Sequence, residues 1–113
     1  MAIPGVPQAT PLEADQRPAG AVLLDVREPD EWDAGHAPGA LHVPLGRLGA
    51  EHTRLPTDEP VYCVCRSGGR SDQAARALRG AGYDARNVAG GMQAWEAAGL
   101  AVVTDTGGPG AVA

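Results

Sequence analysis

Four strand-like runs, Ala21–Val26, Ala40–Val43, Val61–Cys65 and Asp84–Val88, recur along this chain, each passing into a turn and a helical or turn-like stretch. Short, nearly continuous apolar runs suit strands buried on both faces, and strands alternating with helices build a parallel sheet covered above and below. The intervening segments fit that scheme. Thr10 stands where an N-cap would start a short helix over Pro11–Gln16, and Pro29 opens a helical turn through Trp32. A turn or short helix lies around Leu45–Leu48, followed by a polar loop over Thr53–Glu59. A helix over Ser71–Arg79 places Ala74, Ala75, Leu78 and Ala81 on one face, with Gly80 and Gly82 at its end. A last helix spans Met92–Ala98 and closes at Gly99, and Leu100–Val103 reads as a short terminal strand. Trp32 and Trp95 read as core residues. The expectation is an α/β domain over residues 10–103, a central parallel sheet of about five strands with helices on both faces, between flexible segments at 1–9 and 104–113.

With 113 residues and 43% apolar content, the chain has material for one core. A net charge of −5 argues against general affinity for nucleic acid or acidic membranes. Neither a membrane-length apolar run nor a secretion signal is seen, so the expected location is the cytoplasm. Cys63 and Cys65 lie two apart on one strand, too close for an ordinary structural disulfide. His36, His42 and His52 lack paired-ligand spacing, so no metal site is expected.

The chemistry concentrates where Val61–Val64 delivers Cys65 into the loop Arg66-Ser67-Gly68-Gly69-Arg70. Paired glycines let backbone N–H groups turn inward, and the following helix adds its positive end. Such surroundings favour thiolate over thiol, giving a nucleophile that needs no separate base.

Four segments resemble the rhodanese domains: LLDVREPDEW (Leu23–Trp32), GHAPGALHVPL (Gly35–Leu45), CRSGGRS (Cys65–Ser71) and NVAGGMQAWEAAGL (Asn87–Leu100). The resemblance covers about residues 10 to 103, and it implies a three-layer rhodanese-like sandwich and sulfur transfer through a cysteine persulfide, with no cofactor. Four residues separate Cys65 from Arg70, the short loop that sulfurtransferases of this family share; related phosphatases and arsenate reductases carry one residue more around a tetrahedral oxyanion.

Within that reading Cys65 attacks the outer sulfur of thiosulfate or a persulfide and holds it for cyanide, a thiol or a protein acceptor, while loop N–H groups stabilise the charge. Arg66 and Arg70 are candidates to bind the small anionic donor, and Gly68 and Gly69 to shape the cradle. Ser67 either bonds the persulfide or makes a local turn bond, and Ser71 reads as the helix N-cap. Asp25 and Arg27 are read as a buried ion pair or loop brace, and His36 as structural rather than a general base. Cys63 either packs or resolves an oxidised Cys65. Two other readings stand beside catalysis: a partner-regulated persulfide carrier, and an oxyanion enzyme such as a phosphatase or arsenate reductase.

Overall fold

A computed structural model describes residues 5–113. Five parallel strands form one sheet in the order β1-β5-β4-β2-β3. They are β1 (Gln8–Ala9), β2 (Val22–Asp25), β3 (Leu41–His42), β4 (Pro60–Val64) and β5 (Asp84–Val88). The helices are α1 (Pro11–Asp15), α2 (Pro29–Ala34), α3 (Leu48–Glu51), α4 (Gly69–Gly80) and α5 (Gly91–Ala97). Short 3-10 turns, Leu45–Arg47 and His52–Arg54, flank α3. Among the described residues no helix is long and apolar enough to cross a membrane.

Central β4 shows why the sheet forms. Val61, Tyr62, Cys63 and Val64 are all buried, so both faces of the strand need apolar cover, and Pro60 sits at its first position, where proline is tolerated. On one face Leu24, Val26, Val61, Cys63 and Cys65 pack with Leu48 of α3 and Ala74, Ala75 and Leu78 of α4. On the other, Leu23, Tyr62, Val64 and Val88 meet Ala14 of α1 and Met92 and Trp95 of α5. Trp95 is core as expected, its indole N–H donating to the Ala101 carbonyl at 2.9 Å; Trp32 is only half-buried. Thr10 caps α1 through a reciprocal pair: its Oγ1 accepts from Glu13 N, and Glu13 accepts from Thr10 N.

The fifth strand is not the one expected. Val103 makes only isolated antiparallel bridges, to His36 and Pro109, whereas Gln8 and Ala9 pair in parallel with Asn87 and Val88. Gln8 and Ala9 belong to the segment read as lying outside the domain; its first four residues lie outside the described residues. A chain reaching the open edge of β5 needs only a free row of backbone groups, and Asn87 N donates to the Pro7 carbonyl at 2.9 Å. The segment after Val103 also makes defined contacts. It turns at Thr104–Gly108, and Ala111 N then donates to the Ala34 carbonyl at 3.0 Å. Gly35 allows this approach, since a Cβ there would lie 2.6 Å from the Ala111 backbone.

Candidate active site

Cys65, Arg27 and Gly90 follow β4, β2 and β5 at the carboxyl edge of the sheet, where open α/β folds place their sites. Cys65 is 1% exposed, and its Sγ accepts a hydrogen bond from Gly68 N at 3.1 Å. Burial pushes the thiol up, but donation from the Ser71 hydroxyl and from the backbone N–H groups of Ser71, Gly68 and Ser67 outweighs it, so the net shift is below the ordinary value. Cys63 shows what burial does alone: without such donors it is pushed up to about 12.

The N–H groups face sulfur because the carbonyls are tied elsewhere. Met92 N donates to the Cys65 carbonyl at 2.7 Å and Gln93 N to the Arg66 carbonyl at 3.0 Å, so the first turn of α5 holds the outer side of the loop. This seat requires glycine at 91, where φ is +60° and a Cβ would meet the Cys65 carbonyl oxygen and lie 2.7 Å from Arg66 C. Gly68 has φ +113° and turns the chain into α4. Gly69 differs from expectation: it is the exposed first residue of the helix and needs no glycine conformation.

Ser71 is not the N-cap, because Gly68 ends the loop and α4 begins two residues before it. It lies in the first turn, fully buried, its Oγ 3.3 Å from Cys65 Sγ, 3.3 Å from the Gly68 carbonyl and 2.6 Å from Asn87 Oδ1. Asn87, absent from the sequence-derived site, is oriented by Gln8. Gln8 Nε2 faces two acceptors, the Val6 carbonyl at 3.1 Å and Asp72 Oδ1 at 3.3 Å, so Gln8 Oε1 accepts from Asn87 Nδ2 at 3.0 Å and Asn87 Oδ1 is left toward Ser71.

The charged residues form pairs. Asp25 and Arg27 are both 0% exposed, Arg27 Nη2 donating to Asp25 Oδ2 at 2.8 Å and to the Gly35 carbonyl at 2.8 Å, which ties the end of β2 to the end of α2. Arg70 is gripped by Glu31 of α2: Nη1 to Oε1 at 2.6 Å and Nη2 to Oε2 at 2.8 Å. The Arg70 hydrogen bonds hold the Glu31 carboxyl down at about 2. Exposed Arg66 donates from Nε to the Ala113 carbonyl at 2.7 Å. His36 stacks on Trp32 with ring centroids 3.6 Å apart, its Nδ1 3.0 Å from the Trp32 carbonyl and its Nε2 3.3 Å from Asp105 Oδ1. Those contacts bind α2 to the segment after Val103.

Sequence reasoning missed Glu31, Asn87 and Gln8. Glu31 and Asn87 left a trace, as an acidic residue inside the LLDVREPDEW segment and as the first residue of the NVAGGMQAWEAAGL segment; Gln8 left none.

Known proteins resemble this chain over most of its length. YqhL of Bacillus subtilis is 42% identical over 76 residues, covering 66% of this chain and 60% of YqhL. The tRNA sulfurtransferase of Desulfurococcus amylolyticus is 34% identical over 96 residues, covering 85% of this chain and 18% of that protein. The chain thus spans less than two thirds of either relative. The crystal structure of a rhodanese-related protein from Thermoplasma volcanium superposes with a TM-score of 0.82 at 27% identity, covering 88% of this chain and 99% of that one. The model of the rhodanese-like domain matches residues 9–98, and with the parallel five-stranded sheet and the cysteine loop at its carboxyl edge, the chain belongs to the rhodanese-like domain family.

Proposed function

We propose that this protein is a sulfurtransferase in which Cys65 takes a sulfane sulfur from thiosulfate or a persulfide and passes it, as a Cys65 persulfide, to cyanide or a thiol acceptor. The observation that carries this reading is the Gly68 N–H set 3.1 Å from Cys65 Sγ, within a loop whose donors pull the thiol below its ordinary value. The same donors suit a persulfide, whose terminal sulfur also bears charge. In this reading Cys65 is the catalytic residue, Arg66, Ser67, Gly68 and Gly69 form the loop that meets the donor, and Arg70 stands at its end, paired with Glu31. Family membership and a relative named as a tRNA sulfurtransferase support sulfur transfer as the general activity. Two free cysteines fit a reducing compartment, and we place the protein in the cytoplasm.

The carrier reading shares the first half of this chemistry and differs in needing a partner protein to complete it. The oxyanion-enzyme reading is disfavoured because Arg70, the residue that would clamp phosphate or arsenate, already holds a carboxylate with both terminal nitrogens. Intact mass spectrometry after donor treatment tests the proposal: the protein gains one sulfur on Cys65, and Cys65→Ser gains none. A serine variant that still turned over donor and acceptor would remove Cys65 from the mechanism.

A further inference from the structure

Arg70 enters the site already neutralised. Its carboxylate partner is fixed at both ends of the interaction: Glu31 lies in the first turn of α2, its Oε1 also accepts from Glu28 N at 3.0 Å, and its side chain is 16% exposed. The pair is therefore a held, two-pronged contact rather than a loose surface one. Arg70 is close enough to the cysteine for the thiolate charge to act on it, and Glu28 adds a second negative charge nearby. Arg27 offers no substitute, being locked to Asp25 at 0% exposure.

Resting on the sulfur-transfer reading above, we propose that Glu31 is a specificity-determining residue: by occupying Arg70 it turns the site away from dianionic thiosulfate and toward a thiol-borne persulfide. Thiosulfate concentrates two negative charges in one small ion beside the attacked sulfur. To use Arg70, its sulfonate oxygens must displace a bidentate carboxylate or sit beside it at like-charge cost. A persulfide R–S–SH brings no such group to the reacting sulfur. The Cys65 thiolate attacks its outer sulfur, the S–S bond breaks with its electron pair leaving on R–S⁻, and Cys65 becomes Cys65–S–SH with the proton retained on the outer sulfur. No oxidant or reductant is consumed.

The test compares kcat/KM for thiosulfate and cysteine persulfide in the wild type and Glu31→Gln, which keeps an oxygen for Glu28 N. The wild type should prefer the persulfide by about tenfold or more, and Glu31→Gln should raise the thiosulfate value by about tenfold while moving the persulfide value less than about twofold. Equal use of the two donors by the wild type, or no gain for thiosulfate in the variant, overturns the assignment. Should Glu31→Gln fail to fold by circular dichroism, the wild type decides: sulfate should leave its persulfide reaction unaffected, and competitive inhibition by sulfate would show an open anion seat at Arg70 and overturn it. If neither donor adds sulfur to Cys65, the sulfur-transfer reading fails first and takes this one with it.

Discussion

Ser71 Oγ stands 2.6 Å from Asn87 Oδ1 and 3.3 Å from both Cys65 Sγ and the Gly68 carbonyl oxygen, so one hydroxyl hydrogen is contested among an amide oxygen, a backbone carbonyl and the reactive sulfur. Each time it turns to Asn87 the thiolate loses a donor, so Asn87 tempers the acidity that Ser71 confers. Asn87→Ala should lower the pH of half-maximal Cys65 alkylation by up to about one unit, and Ser71→Ala should raise it by a similar amount. The double variant should behave like Ser71→Ala. Additive shifts in a stopped-flow alkylation series would show that the two residues act separately.

The paired glycines of the loop should separate on mutation. Gly68→Ala forces a side chain onto φ +113° and should cost about 1–3 kcal/mol in urea unfolding while abolishing sulfur loading. Gly69→Ala, on an exposed helical residue, should leave both stability and loading near wild type.

The two thiols should titrate far apart. At neutral pH iodoacetamide should label Cys65 alone, with an inflection below the ordinary 9.0, whereas Cys63, at about 12, should react only once the protein unfolds. Cys63→Ala should keep full sulfur loading and lose about 1 kcal/mol of stability from the vacated core volume. Peptide mapping that found Cys63 modified in the native protein would contradict this.

Acid stability should report the Glu31–Arg70 pair. The Glu31 carboxyl sits at about 2 in the folded protein against an ordinary 4.5, so the pair contributes stability fully present above pH 4.5 and lost as pH falls toward 2. The stability difference between wild type and Glu31→Gln, measured by denaturant unfolding, should be constant near neutrality and shrink below pH 4.5. Curves that stay parallel down to pH 2 would show that Glu31 is not held down by Arg70.

What the sequence reveals follows the range over which its signals act. The strands β2 and β4 announce themselves because their continuous apolar runs reflect burial on both faces, and Thr10 marks the start of α1 through contacts confined to one turn. By contrast β1 is two residues long in a proline-bearing stretch, and its identity as a strand comes wholly from β5. Leu100–Val103 has the apolar look of a strand, yet Leu100 and Val102 pack against the Trp95 side of the core. Within the site, Cys65 and its loop are legible because adjacent residues build the cradle. Glu31 meets Arg70 across 39 positions, and Asn87 meets Ser71 across 16, distances at which spacing carries no information about contact. Ser71 was misplaced for a related reason: reading the helix from its alanines starts it too late, because Gly68 and not a hydroxyl residue performs the turn into α4.

The grip of Met92 N and Gln93 N on the Cys65 and Arg66 carbonyls makes the cysteine loop depend on a segment that the ribosome delivers after it. A product truncated before Met92 would lack both donors and leave the outer carbonyls of the loop unpaired, even with every residue of the loop intact.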